Sequence, residues 1–205
     1  MNFIFDFDGT VIDSLGAFIA VFNKNVRDNK DPLTPQEIQK FRGMSSRRAI
    51  RNLGVRWWQI PKLLVRGMPD FRALIPDLDP CKGIPEVLRA LQQRGDKLFM
   101  VTSNQRDIVD EFLKQYNLDS YFTDIATGAS VFRKSGYIRK LMRDNMLKRR
   151  QTVYVGDETR DIQAARLAGV KIVSVTWGFN TRQILKKRRP NFLIDEPKRL
   201  LEVKL

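Results

Sequence analysis

The chain has 205 residues, 42% hydrophobic and 29% charged, the balance of a soluble globular protein able to bury one core, alone or with an insertion. It contains no histidine and one cysteine, Cys81, which excludes Ser-His-Asp and Cys-His catalysis, His-ligated zinc and an internal disulfide. The formal net charge of +14 points to an anionic partner, but it is spread along the chain without a basic stripe of interleaved aromatics, so nucleic acid is not specifically indicated.

The opening stretch, Asn2-Phe-Ile-Phe-Asp-Phe-Asp-Gly-Thr-Val-Ile-Asp13, begins with an apolar run that predicts a short buried strand. It delivers two carboxylates, Asp6 and Asp8, to the point where Gly9 lets the backbone turn. Charge beside a hydrophobic strand needs a metal, a cation or backbone N–H groups, so the pair suggests a site; the plainer alternative is a turn cap. Asp13-Ser14 has the chemistry of a helix N-cap, and Phe18, Val21, Phe22 and Val26 mark the apolar stripe of a helix running to about Asn29. From Asp31 to Pro80 there is no strand pattern. Thr34-Pro-Gln-Glu37 is a capping box with proline at the first helical position, and helical patterns follow over 46–53, 57–65 and 70–74, the last two separated by Gly67-Met-Pro69. This predicts an all-helical insertion, with Trp57 and Trp58 packing it rather than binding a ligand.

From Gly83 onward helix and strand alternate. Helices are predicted over 85–94, 106–116, 136–146, 161–168 and 196–203, and strands over 97–101, 125–127, 152–155, 171–175 and 191–194. The basic run Lys186 to Arg189 reads as a solvated helix end. The alternation implies right-handed crossovers and an α/β fold with a mainly parallel sheet covered on both faces. In such a sheet ligands bind beyond the carboxyl ends of the strands. Polar residues follow the strands as that rule requires: Asp6 and Asp8, then Thr102-Ser-Asn104, Gly156-Asp-Glu-Thr-Arg-Asp161 and Thr176-Trp-Gly-Phe179. That convergence favours a site over turn caps.

The set Asp6-Phe-Asp-Gly-Thr10, Thr102-Ser-Asn104, Lys134 and Gly156-Asp-Glu-Thr-Arg-Asp161, in that order, resembles the haloacid dehalogenase superfamily of phosphotransferases. More narrowly, Phe41-Arg-Gly-Met-Ser45 and Val175-Thr-Trp-Gly-Phe179 resemble phosphoglycolate phosphatases. The resemblance spans nearly the whole chain. It implies a Rossmann-like core over 1–14 and 81–205, with a small helical cap over 15–80. It also implies roles. Asp6 is the nucleophile, ionised at neutral pH without help from a base, and Asp8 is the acid and base. Mg²⁺ is held by Asp6, the Asp8 carbonyl and Asp157, with Glu158 and Asp161 in supporting positions. Thr102 and the Ser103 amide bind phosphoryl oxygens, with Ser103 the runner-up for the hydroxyl role. Lys134 neutralises the phosphoryl group, although Ser135 stands where many relatives have proline, and Arg133 and Lys140 compete for the role.

Gly9, Thr10 and Asn104 complete the expected substrate-binding set, together with Arg42, Gly43 and Arg47 of the cap. An arginine there could grip a substrate carboxylate in bidentate fashion. The expected function is therefore a Mg²⁺-dependent phosphatase for a small phosphomonoester, first of all 2-phosphoglycolate. Alternatives are a sugar phosphate or nucleotide as substrate, or a non-catalytic basic protein that binds an anionic macromolecule. Monomer and dimer are left open. With no secretory pattern at the N-terminus and no apolar run near the ~20 residues that cross a bilayer, a cytoplasmic location is expected.

Overall fold

Strands β1 (Asn2–Phe5), β2 (Lys97–Val101), β3 (Phe122–Ala126), β4 (Thr152–Gly156), β5 (Lys171–Val175) and β6 (Phe192–Ile194) form one sheet. Their order is β3-β2-β1-β4-β5-β6, and every neighbouring pair is parallel. This computed structural model describes residues 1–26, 31–129 and 133–205, apart from the side chains at positions 57, 61 and 64. The expected packing of Trp57 and the end of the first helix near Asn29 lie outside what is described.

β1 is central because its residues suit a strand buried on both faces. Phe3 and Phe5 enter one core with Leu98, Met100, Val153 and Val155, while Ile4 enters the other with Phe99, Val101, Tyr154 and Ile172. The period of two thus distributes one apolar run over two cores. Each fully buried Phe or Ile contributes about 1.5–3 kcal/mol of transfer free energy. The first core is covered by α5 (Ile84–Gln93) and α6 (Arg106–Gln115), through Ile84, Leu88, Leu91, Ile108, Phe112 and Leu113. The second is covered by α7 (Lys134–Asp144), α8 (Thr159–Ala168) and α9 (Arg182–Lys187), through Ile138, Leu141, Ile162, Ala165 and Leu185.

Between β1 and α5 lie α1 (Leu15–Val26), α2 (Pro35–Arg42), α3 (Ser46–Asn52) and α4 (Ile60–Leu74). The chain leaves the sheet and returns to it side by side: Asp13 N donates to Asp79 O (3.0 Å) and Cys81 N to Val11 O (2.8 Å). The capping box forms as expected. Glu37 N donates to Thr34 Oγ1 (3.2 Å), and Thr34 N donates to Glu37 Oε2 (2.8 Å).

Two predicted elements differ from the structure. The helical patterns separated by Gly67-Met-Pro69 are joined, because α4 runs through all three residues. Gly67 faces α1 so closely that a Cβ there would lie 2.8 Å from Val21 Cγ1, which makes it a packing glycine rather than a breaker. Pro69 removes one helical donor, and the residue four before it, Val65, is 76% exposed, so its carbonyl can turn to water. At the C-terminus, 197–202 form a 3-10 helix instead of an α-helix. Its buried anchor is Leu200, and Val203, the extended residue that ends it, is buried as well.

Candidate active site

The sheet register brings distant parts of the chain together. Phe5 is level with Met100 on one side and Val155 on the other, so Asp6, Thr102 and Asp157 all emerge at the carboxyl edge of three adjacent strands. Asp6 N continues the ladder, donating to Val155 O (2.8 Å). The Asp6 carboxylate accepts from Phe7 N through Oδ1 (2.8 Å) and from Lys134 Nζ through Oδ2 (2.5 Å). Lys134 opens α7 and also donates to Asp161 Oδ1 (2.8 Å), while Asp161 Oδ2 accepts from Glu158 N (2.9 Å). The ammonium is 4% exposed and stands over the Tyr154 ring, 5.6 Å from its centroid.

Asp157 is fully buried, accepting from Thr10 Oγ1 through Oδ1 (3.1 Å) and from Phe179 N through Oδ2 (2.6 Å). Room for it depends on glycine. A Cβ on Gly9, whose φ is +67°, would fall 2.4 Å from Asp157 Oδ2; one on Gly178 would fall 2.3 Å from the same atom and from Gly9 O. Asp8 faces another way. Its Oδ1 accepts from Ser14 Oγ (3.1 Å), and Asn104 Nδ2 lies 3.4 Å from both oxygens. The Thr102 hydroxyl is buried and accepts from Asn104 N (3.0 Å), and Ser103 beside it is half-buried.

Burial dominates the electrostatics. It pushes Asp6 up to about 7 against the pull of Lys134, and Asp8 up to about 6 against the Ser14 hydrogen bond. Asp157 is held well above the ordinary carboxylate range by burial and then by Glu158, Asp161 and Asp6. Burial opposes the charge on Lys134, but Asp161 and Asp6 outweigh it and raise its pKa. Oxygens of Asp6, Asp157 and Asp161 all lie within 4.8 Å of one another, and all three residues are buried. Such an oxygen-only set, with one ammonium for three carboxylates, fits a hard cation such as Mg²⁺ rather than zinc or copper.

The predicted insertion residues separate. Arg42 reaches the rim, but its guanidinium donates to Gly178 O (2.9 Å) and Phe179 O (3.2 Å). Gly43 caps α2. Arg47 lines a cavity of about 610 Å³ with Ile50, Arg51, Val55, Arg56 and Trp58, none of which belongs to the acidic cluster. Trp58 is 55% exposed with Arg56 over its ring, so it packs the insertion only in part.

Several contributors are absent from the sequence expectations. Ser14, expected only as a cap, donates to Asp8. Asn180 accepts from Thr159 N (2.8 Å) and donates to Arg42 O (3.1 Å) and Met44 O (3.0 Å), joining α8 to the insertion. Ser46 donates to Glu158 Oε2, and Arg160 pairs with Glu158 Oε1. A polar residue just after a strand or inside a glycine-rich loop was the one signal available; the partners are set by tertiary contacts, some of them between residues far apart in sequence, such as Ser46 with Glu158.

Comparison with known proteins places this arrangement. Residues 3–175 match the family model described as haloacid dehalogenase-like hydrolase. The chain is 36% identical over 200 residues to a phosphoglycolate phosphatase of Synechococcus elongatus, covering 97% of this chain and 94% of that one. It is 30% identical over 208 residues to a phosphoglycolate phosphatase of Agrobacterium fabrum, covering 94% and 87%. Among solved structures it is similar to a haloacid dehalogenase-like family hydrolase from Streptococcus pneumoniae, with a TM-score of 0.82, 98% and 96% coverage and 20% identity, a likeness of fold.

Proposed function

Since this chain belongs to the haloacid dehalogenase-like hydrolase family and is a phosphomonoester hydrolase of it, we propose that it is Mg²⁺-dependent and that its substrate is 2-phosphoglycolate. The observation that carries the mechanism is the buried Asp6–Lys134–Asp161 contact at the sheet edge, with Asp8 held apart from it by Ser14 and Asn104. Two carboxylates two residues apart thus have different surroundings, as two different roles require.

Asp6 attacks phosphorus, forming an acyl phosphate as the bond to the leaving oxygen breaks. Asp8 donates a proton to that oxygen and then takes one from the water that hydrolyses the acyl phosphate. Burial raises both carboxyls, so Asp8 can carry the proton, while Asp6 would need the charge of Lys134 together with a bound cation to attack as the carboxylate. Lys134 keeps Asp6 in place and offsets charge on the phosphoryl oxygens, which Thr102, Ser103 and the turn at Gly9-Thr10 receive. Asp6, the Asp8 carbonyl and Asp157 would hold Mg²⁺, with Glu158 and Asp161 in support; when bound, the ion supplies positive charge that offsets phosphate repulsion. The helical segment 15–80 acts as the cap, covering the leaving group from the side where Arg42 and Ser46 meet the sheet edge.

Phosphate release from a panel of phosphoglycolate, sugar phosphates and nucleotides, with and without Mg²⁺, tests the reading. Phosphoglycolate should be turned over best and only with the cation. Asp6→Asn should abolish turnover, a loss of at least about 10³-fold; full activity in that variant, once deamidation is excluded, would sink the mechanism.

A further inference from the structure

The loop between β5 and α9 faces two ways. On its inner side Phe179 N donates to Asp157 Oδ2 (2.6 Å). On its outer side Gly178 O and Phe179 O accept from the Arg42 guanidinium, at 2.9 and 3.2 Å, and Thr181 N donates to Arg42 O (3.0 Å). One short loop thus touches both the acidic cluster and the end of α2.

Asn180 lies within this loop and is 4% exposed. Its Oδ1 accepts from Thr159 N (2.8 Å), the first N–H of α8, which has no acceptor inside its own helix. Its Nδ2 donates to Arg42 O (3.1 Å) and Met44 O (3.0 Å), the carbonyls on either side of Gly43. The orientation of the amide follows from its partners, because a carbonyl can only accept and a backbone N–H can only donate. Completing the start of α8 would take one oxygen. The amide does more, since both of its N–H groups are used on the turn that joins α2 to α3.

That turn is where the insertion meets the rim of the site. Ser46, which opens α3, donates to Glu158, and Glu158 N donates to Asp161, the carboxylate that holds Lys134. Neither α2 nor α3 has a buried residue, so apolar packing does little to fix where they stand, and the polar contacts at the turn must do so.

We propose that Asn180 is a positioning residue of the reaction, whose amide holds the turn 42–44 at the rim so that the insertion meets the bound substrate in one place. The assignment rests on the reading of 15–80 as the cap and adds the residue that sets the cap's approach. None of the hydrogen bonds of Asn180 goes to an acidic side chain. Its loss should therefore weaken substrate binding and spare the attack and the proton transfers, which is a change in KM rather than in kcat.

Two variants separate the two ends of the amide. Asn180→Ala loses all three bonds, while Asn180→Asp keeps an oxygen for Thr159 N but has no N–H for the two carbonyls. Kinetics with Mg²⁺ use whichever phosphomonoester of the panel above the wild type turns over fastest, so the outcome does not depend on phosphoglycolate being the substrate. Alanine adds no charge to meet an anionic substrate; its KM should rise about fivefold to fiftyfold with kcat within about threefold of wild type. Aspartate is read by hydrogen exchange without substrate, where the amides of α2 and α3 should lose protection in both variants and those of β1 and β4 should not.

Wild-type exchange of α2 and α3 in Asn180→Asp means that the amide only completes α8, and overturns the assignment. A fall in kcat together with lost protection in β1 and β4 is general loosening and overturns it too. Faster exchange in α2 and α3 at an unchanged KM in Asn180→Ala overturns it as well, and with it the reading of these helices as a substrate cover. Melting curves show that each variant is folded; Asn180→Ser, too short to span both carbonyls, stands in for one that is not.

Discussion

The sheet and the inserted helices solve burial in different ways. In the sheet, β1 is fully enclosed from Phe3 to Phe5, and the charged residues after it are enclosed as well. In the insertion, neither α2 nor α3 has a fully buried residue, and their attachment to the rest is polar. Arg42, Ser46 and the carbonyls of Arg42 and Met44 meet Gly178, Phe179, Asn180, Thr181 and Glu158. Phe18 adds an apolar link, edge-on to Phe179 at 5.1 Å and against Phe71 at 4.7 Å. The contrast teaches that the acidic site and the helices beside it are held by different bonding. Buried ion pairs fix geometry, while the partly buried hydrogen bonds that hold α2 and α3 are individually weaker.

The comparison is sharpest at Lys134. Replacing it with alanine leaves Asp6 and Asp161 buried without their cation, and should cost about 3–5 kcal/mol in urea unfolding as well as turnover. Gly178→Ala comes next, since its Cβ would meet Gly9 O and Asp157 at 2.3 Å; backbone must shift, at a cost of about 1–3 kcal/mol or more, with loss of activity. If either variant melts like the wild type, the site is looser than its contacts imply.

The third test is pH. Asp6 and Asp8 keep their protons up to about 7 and 6 in the fold but release them near 3.8 when unfolded, so the folded state binds more protons across that interval. With divalent cations chelated, the contribution of Asp6 and Asp8 should decline as pH rises from about 4 toward 7, lowering the melting temperature over that interval, and Mg²⁺ should restore it most at the upper end. Asp70 of the insertion has the opposite sign. The Asn25 and Lys24 contacts lower its pKa, so its contribution is present above 3.8 and disappears as pH falls through the lowered value. A flat profile without cations would mean that the acidic cluster is already compensated by protein groups. The smallest effect is expected of Arg42→Ala, about 1 kcal/mol or less in global stability, with a raised KM as the insertion docks less firmly. A loss as large as that of Lys134→Ala would erase the distinction between the two regions.

Much of this was legible in the residues. The alternation from Gly83 onward predicts the parallel sheet, and the polar clusters after its strands predict where the site lies. Local rules failed where a tertiary contact outweighed them: Gly67 and Pro69 read as a break, yet the approach of α4 to α1 keeps one helix through both. The run at Lys186 to Arg189 reads correctly as an exposed helix end, that of the short α9, in which Leu185 is buried. Arg160 sits in a motif that was recognised, but nothing local tells a partly buried arginine paired with Glu158 from a solvated one.

The sequence by itself determined that carboxylates would stand at the end of a buried strand and that other polar loops would face them, because periodicity and turn chemistry are local properties. Tertiary structure alone decided that β1 would lie between β2 and β4, so that Asp6 meets Lys134 at 2.5 Å while Asp8 turns to Ser14. Partner choice and burial depend on residues far apart in the chain, and burial is what separates two aspartates of the same chemistry from ordinary surface acids.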